Sequence, residues 1–178
     1  MNIKYFIMAI LIFYGESVFA ENDDWASYGK DSGGGHYSKA SEITPENVHL
    51  LEQAWVHRSG DYQSGANTRG KIAPEIQTSF QATPLLVNET LYYCTPFNRV
   101  FALNSETGEE IWMFDPKLKK EGRAILACRG LSSWKDLKKS PDEKCFHHII
   151  GVTIDAELFS IDAKDGKLCK DFGNNGRI

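Results

Sequence analysis

The sequence predicts an all-β fold, a partial β-propeller of about two blades preceded by an N-terminal lead-in. Short apolar segments alternate with polar, glycine-containing turns along most of the chain, a pattern typical of antiparallel strands. The order of strands and turns occurs twice at a spacing of 58 residues, which takes Phe101 to Phe159 and Gly108 to Gly166. The 178 residues are 42% apolar and 25% charged, and this globular composition excludes collagen-like and wholly disordered chains.

The first repeated unit holds four predicted strands. Residues 85–87 and 90–94 are rich in Leu, Val, Tyr and Thr and flank a short polar turn. Residues 100–103 and 111–114 flank a second turn, in which Gly108 can adopt the positive φ that other residues avoid. This alternation predicts an antiparallel four-stranded sheet.

The second unit repeats that order more weakly. Strands are predicted at 148–153, 158–161 and 168–169. His147 and His148 lie at the start of this unit, and we expect them to be solvated loop residues rather than metal ligands. Repetition of one supersecondary unit at a fixed period indicates that the fold is built by stacking copies of it.

Two such units are too few to close a propeller. A four-stranded unit cannot bury both of its faces alone, so copies stack, and their radial arrangement is a β-propeller of about 4–8 blades. Residues 21–178 are therefore expected to be the N-terminal part of a larger propeller, incomplete at the C-terminus. Residues 173–178 are predicted to be a turn-rich linker. Only one short helical turn is expected, after Thr44-Pro45.

Residues 1–20 are expected to be a secretory signal peptide. Lys4 supplies a positive charge, residues 5–14 form an apolar run, and Ala20 is a small residue at the expected cleavage position. The apolar run is shorter than the roughly 20 residues that span a bilayer, although an uncleaved membrane anchor is the alternative. The mature chain is then expected to be soluble and exported.

Export favours disulfide bonds among the four cysteines, Cys94, Cys128, Cys145 and Cys169. Their spacing contains no C-x-x-C motif, which argues against a zinc site. Four cysteines allow three connectivities, and the sequence does not decide among them. We favour Cys94–Cys128 with Cys145–Cys169, since the second pair would join neighbouring strands of one sheet. Free thiols are the alternative.

The charge pattern gives no sign of a nucleic-acid partner. The formal net charge is −4, from 20 Lys and Arg against 24 Asp and Glu, and no basic block stands out. The charged stretches at 117–123 and 135–144 mix both signs, so we expect them to be solvated insertions between strands.

The repeat carries a recognisable motif. Residues 100–112 follow the pattern apolar-Ala-Leu-Asn-x-x-Thr-Gly-x-x-x-Trp. This pattern resembles the tryptophan-docking repeat of the pyrroloquinoline quinone (PQQ) dehydrogenases. In the second copy, Asp165 replaces the Thr and Lys170 replaces the Trp, so the resemblance predicts no docking tryptophan there.

Further short motifs occur in the same order as in the glucose and quinate branch of these quinoproteins. They are found at 25–29, 36–38, 43–48, 54–55, 80–84, 95–100, 128–130 and 172–173. Together the motifs resemble this family over nearly the whole mature chain.

The resemblance implies an eight-bladed propeller that holds PQQ and Ca²⁺ on its axis. Such an enzyme oxidises an alcohol, polyol or sugar hydroxyl in the periplasm and passes electrons to a membrane quinone or a cytochrome. By the same resemblance, the Ca²⁺ ligands and the catalytic Asp base lie on later blades. We therefore assign no catalytic or metal residue here and expect the isolated chain to be inactive.

Three residues match the family's cofactor contacts. Gln81 occupies the position of a residue near a PQQ carboxylate, Arg129 that of an arginine near the quinone oxygens, and Thr153 that of a hydroxyl donor. The residue types suit a ligand with three carboxylates and two carbonyls, because arginine offers a planar, permanent charge and the others offer directional donors. The alternatives are structural: Gln81 could bond a strand edge, Arg129 could pair with a surface Asp, and Thr153 could be an ordinary strand residue.

One departure from the family pattern bears on function. Phe97 stands where the glucose enzymes commonly carry His, which favours quinate-like or other polyol substrates over glucose. The alternative to an enzyme is a non-catalytic propeller of related repeats that serves as a binding scaffold in the cell envelope. The three cofactor positions argue for the enzyme.

Overall fold

The computed structural model describes residues 24–31, 33–63, 77–119 and 125–178. Within these ranges the chain is all-β with a single 3₁₀ turn at Val48–Leu50, which confirms the helical turn expected after Thr44-Pro45. The strands are β1 Gln77–Thr83, β2 Leu85–Val87, β3 Thr90–Cys94, β4 Val100–Asn104, β5 Glu110–Phe114, β6 Ile125–Gly130, β7 Ser132–Lys135, β8 His147–Val152 and β9 Leu158–Asp162. The predicted signal peptide, 1–20, lies outside the described residues. Among those described, no helix has the length and apolarity needed to cross a membrane.

Seven of these strands form two antiparallel sheets, which correspond to the two predicted repeats. The first sheet, blade 1, has the order β2-β3-β4-β5, and the second, blade 2, has the order β7-β8-β9. The strand predicted at 168–169 is reduced to a single bridge between Leu168 and Ile161. The predicted all-β architecture, a partial propeller, is confirmed.

The remaining two strands pair with each other across the blades. β1 and β6 form a parallel two-stranded ribbon, the β1–β6 ribbon. Each is separated by one residue from the first strand of its own blade, Pro84 before β2 and Leu131 before β7. Proline has no N–H to donate, so Pro84 interrupts the ladder at the point where the chain passes from the ribbon into blade 1.

The hydrogen bonds of the two blades repeat at the predicted spacing. The amide of Gly108 donates to the Asn104 carbonyl at 2.9 Å, and Gly166 donates to Asp162 at the same distance. Both glycines have positive φ, 72° and 68°. The turn predicted from the sequence therefore occurs twice with one geometry.

The hydrophobic core lies between the two blades. Alternate residues of β2, β3 and β4 face alternate residues of β8 and β9, as period-two side-chain placement requires. The ring of Phe114 lies 5.0 Å from that of Phe159. The fully buried members of this interface include Leu85, Val87, Val100, Ala102, Ile149, Phe159 and Ile161.

A tryptophan docks on the glycine turn of each blade. The Trp112 indole N–H donates to the Ala163 carbonyl at 3.0 Å, and a Cβ added to Gly166 would lie 2.7 Å from its ring. Trp55 makes the same contact with blade 1: its N–H donates to the Ser105 carbonyl at 3.1 Å. The lead-in thus supplies a docking tryptophan that sequence analysis did not single out.

Both favoured disulfides are present. Cys94–Cys128 joins β3 to β6, and Cys145–Cys169 joins the segment before β8 to the segment after β9. Every cysteine in the described ranges is paired, so the free-thiol alternative is wrong.

Two sequence-based expectations are wrong. His147 and His148 are not solvated loop residues but the first two residues of β8. His148 is 3% exposed, and its Nδ1 lies 2.7 Å from the Ser160 hydroxyl. Residues 173–178 do not leave the sheet as a linker, because Ile178 exchanges backbone hydrogen bonds of 2.8 and 2.9 Å with Leu158.

The glycine at the docking turn should be intolerant of substitution. Gly166→Ala adds a Cβ at positive φ, which costs about 1–2 kcal/mol, and also forces it into the Trp112 ring, which adds about 1–3 kcal/mol. Gly34→Ala is the matched control, because Gly34 has the same φ of 68° with nothing within 4 Å of the added Cβ. Urea unfolding should show the larger loss for Gly166→Ala, and equal losses would contradict the docking role.

Stability should fall in mild acid because of His147. Burial between the blades, helped by Lys135, lowers the pKa of His147 from 6.5 to about 4. Between these values the unfolded chain binds a proton that the folded chain does not, so the free energy of unfolding decreases as the pH drops. His147→Gln should flatten this dependence, whereas His49→Gln, in the exposed 3₁₀ turn, should leave it unchanged. An unaltered slope for His147→Gln would contradict the assignment.

Candidate functional site

Gln81 and Arg129 meet in the β1–β6 ribbon. Phe80 pairs with Cys128 and Thr83 pairs with Gly130, so the two residues between them on β1, Gln81 and Ala82, stand opposite Arg129 alone. This two-against-one arrangement is a β-bulge, which bends a strand and redirects side chains. The register thus brings two of the three predicted site residues side by side.

Thr153 lies at the same end of the blades. β7 and β8 are antiparallel with Ser132 opposite Ile150, so the residues that precede β7 and those that follow β8 share one end of the sheet. Arg129 precedes β7 and Thr153 follows β8. All three predicted residues therefore belong to one end of the two-blade assembly, which we call the site end.

The two ribbon side chains are open to solvent. The Gln81 amide donates to the Ser79 hydroxyl at 3.0 Å, and its carbonyl oxygen remains available. Arg129 is exposed, and no carboxylate in the described ranges forms an ion pair with its guanidinium. An exposed arginine beside a glutamine presents a fixed positive charge together with an amide that can donate and accept.

Thr153 is held in a turn. It is 6% exposed, its amide donates to the Glu157 carbonyl at 2.8 Å, and its hydroxyl accepts from the Glu157 amide at 3.3 Å. The hydroxyl proton is free to be donated elsewhere. Thr153 thus has a structural task of its own in addition to any contact with a ligand.

Asn98 connects the blades at the site end, and sequence reasoning missed it. Its side-chain oxygen accepts a hydrogen bond of 3.1 Å from the amide of Ile154, the residue after Thr153. Asn98 is 3% exposed and has a φ of 56°, a conformation in which asparagine is enriched. An Asn four residues after the end of β3, just before the next strand, was the available signal.

Phe97 lies in the same turn and is 6% exposed. It lines a cleft of about 240 Å³ with Arg99, Asp115, Lys117 and Leu118. Arg99 is committed to Asp61, a residue 3% exposed, through paired hydrogen bonds that raise the pKa of the arginine. This ion pair fixes the lead-in against blade 1 beside the cleft.

A larger cleft lies elsewhere and contains none of the predicted site residues. It measures about 630 Å³ and separates the lead-in from the face of blade 1 that points away from blade 2. Its aromatic lining includes Trp55, Phe80 and Tyr93, with the His57 Nδ1 2.6 Å from the Tyr93 hydroxyl. An apolar sheet face of this kind suits packing of a further protein layer rather than polar chemistry.

The described residues offer no convincing metal site. Cys145, Cys169 and Asp171 bring ligand atoms within 4.8 Å of one another, but the two sulfurs are bonded to each other and are not thiolates. A disulfide cannot supply the anionic sulfur that metals bind.

Comparison with known proteins identifies the family. Residues 25–178 match the model of the PQQ glucose/ethanol/alcohol dehydrogenase β-propeller domain. The quinoprotein glucose dehydrogenase of Escherichia coli (strain K12) is 39% identical over 160 residues, covering 87% of this chain and 19% of that protein. The glycerol dehydrogenase large subunit of Gluconobacter oxydans (strain 621H) is 32% identical over 164 residues, covering 92% and 21%. The chain therefore spans about a fifth of the length of these relatives.

Solved structures agree on the fold. The quinohemoprotein alcohol dehydrogenase of Comamonas testosteroni superposes with a TM-score of 0.59 at 24% identity, over 83% of this chain and 19% of that one. A europium-containing methanol dehydrogenase superposes with a TM-score of 0.62 at 22% identity, over 83% and 22%. The repeated docking turns agree with this fold, and the family model matches residues 25–178. The chain therefore belongs to the PQQ-dependent dehydrogenase family and forms part of its β-propeller.

Proposed function

We propose that this chain is the N-terminal part of a periplasmic PQQ-dependent dehydrogenase that oxidises an alcohol, polyol or sugar hydroxyl. Its electrons would pass to a membrane quinone or a cytochrome. Export would depend on the segment 1–20, and the further blades would come from the rest of a longer protein. The observation that carries the proposal is the position of Gln81, in the bulge of β1, opposite an exposed Arg129 on β6.

The residues at the site end fit PQQ. The cofactor bears three carboxylates and an ortho-quinone, and when bound it supplies the redox chemistry of the reaction. The Arg129 guanidinium would hold carboxylate or quinone oxygen through charge-assisted hydrogen bonds, and would stabilise negative charge that develops there. Gln81 and Thr153 would orient the ring with uncharged donors.

The metal belongs to another part of the site. Cofactor-linked Ca²⁺ needs several oxygen ligands, and no such cluster is assigned among the described residues. By the family resemblance we assign Ca²⁺ to the later blades, together with the catalytic base, and expect the isolated 178-residue chain to be inactive.

The substrate class is drawn from the relatives and from Phe97. The relatives include proteins named as glucose, glycerol and quinate/shikimate dehydrogenases. Phe97 places an aromatic ring where a polar donor is common in the glucose enzymes, and it lines the cleft beside Arg99. This favours a polyol or a quinate-like ring over glucose.

Dye reduction by the full-length protein tests the proposal. With PQQ and Ca²⁺ added, the wild type should reduce a redox dye with at least one of quinate, glycerol, glucose and ethanol. Arg129→Ala should lower kcat/KM by about 100-fold or more, since it removes charge stabilisation at the quinone. Arg58→Ala is the control, because Arg58 is an exposed arginine on the larger cleft and should retain activity.

Two outcomes of this experiment would contradict the proposed function. A wild type that reduces dye with none of the four substrates would favour the non-catalytic scaffold. Unchanged activity of the Arg129→Ala variant would show that Arg129 is not part of the site.

A further inference from the structure

We propose that the Cys94–Cys128 disulfide is a positioning element that holds Arg129 in register with Gln81 and so sets the affinity for the quinone cofactor. The inference rests on the proposed function, because it assigns the ligand of Arg129 from that proposal. It concerns a bond between blade 1 and the strand that leads into blade 2, at the residue directly before Arg129.

The β1–β6 ribbon is a weak support for a binding residue. It has two strands, and only four consecutive pairs, from Gln77–Ile125 to Phe80–Cys128, precede the bulge. An isolated two-stranded ribbon is marginally stable in water. A slip of one residue would turn each side chain to the opposite face and would separate Arg129 from Gln81.

The disulfide supplies the missing constraint. Cys94 is the last residue of β3, a central strand of blade 1, where it pairs with Val100 and is 1% exposed. Cys128 is 6% exposed and pairs with Phe80, directly before the bulge. The bond therefore ties the two-stranded ribbon to a buried central strand of blade 1, with 5.9 Å between the two Cα atoms.

Because of its position, the Cys94–Cys128 disulfide constrains the residues of the candidate site rather than the whole of blade 1. One partner precedes Arg129, and the other precedes the turn at 95–98, which holds Asn98 and its bond to Ile154. Opening the disulfide would leave the ladder of blade 1 intact, because β3 keeps its pairs with β2 and β4. The expected effect is a change in the position of Arg129, while the sheets of both blades are preserved.

The second disulfide provides a matched control. Cys145–Cys169 also lies within the fold, with both cysteines nearly fully buried. It lies at the start of β8, whereas Thr153 follows the end of that strand, so it is at the far end from the site. Removal of the Cys145–Cys169 disulfide should destabilise the protein without changing the position of Arg129.

The test uses the full-length protein with the paired substitutions C94A/C128A and C145A/C169A. Titration of the apoprotein with PQQ, followed by quenching of tryptophan fluorescence, should give a Kd about tenfold or more weaker for C94A/C128A, because small misplacements of a binding group are costly. C145A/C169A should keep the wild-type Kd within about twofold, even where its Tm falls. Equal weakening in both variants, or no weakening in C94A/C128A, would overturn the proposal.

A double-mutant cycle separates positioning from general loosening. If the disulfide acts through Arg129, then C94A/C128A should weaken PQQ binding in the wild-type background but add little in the Arg129→Ala background. Additive losses in the two backgrounds would overturn the proposal. Where C94A/C128A does not fold, reduction of folded C145A/C169A opens only Cys94–Cys128 among this chain's four cysteines and gives the same comparison.

Hydrogen exchange tests the positioning without any ligand. Opening Cys94–Cys128 should speed amide exchange in 125–130 and 77–83 of the apoprotein and leave β3 and β4 protected. Unchanged exchange in both strands would overturn the proposal. A wild type that binds no PQQ would instead overturn the proposed function and the ligand part of this inference, while wild-type binding with an unaffected C94A/C128A would overturn this inference alone.

Discussion

The contact of Trp112 with the glycine turn of blade 2 is the interaction on which the rest of the arrangement depends. The indole both fills the space that a side chain at Gly166 would occupy and donates to the Ala163 carbonyl, so it fixes position and direction together. With blade 2 placed, the apolar faces of β8 and β9 close over those of β2 to β4. β1 and β6, which lead into different blades, then lie side by side and pair with each other.

The strands of the two blades could be predicted because the burial of their side chains is reflected in the pattern of apolar residues in the sequence. Residues 100–103 are apolar, the same positions recur at 158–161 with the same glycine turn, and both segments are strands. β6, in which Leu126 and Cys128 are buried, was also missed. β1 was missed because it is poorly buried: it contains Gln, Thr and Ser, and only Thr78 is buried. Strands that line an open surface lack the alternation on which sequence prediction relies.

The candidate site was predictable residue by residue but not as a geometry. Gln81 and Arg129 could be chosen from short motifs, yet their adjacency depends on a parallel register and a bulge between strands far apart in the chain. His148 was misjudged because histidine is often exposed, whereas here Ser160 satisfies one ring nitrogen inside the sheet. The favoured cysteine pairing was correct and places one bond directly before Arg129 in the sequence, but the sequence did not indicate that Cys128 lies on a strand paired with β1.

The single proline between β1 and β2 separates two environments within one continuous stretch of chain: an exposed one before it and a buried one after it. After Pro84, Leu85 and Val87 are 1% exposed and leave little freedom for substitution. Before it, Phe80 and Gln81 are exposed. A substitution after Pro84 would therefore disturb the contact between the two blades, whereas a substitution at the exposed side chains before it would leave that contact unchanged.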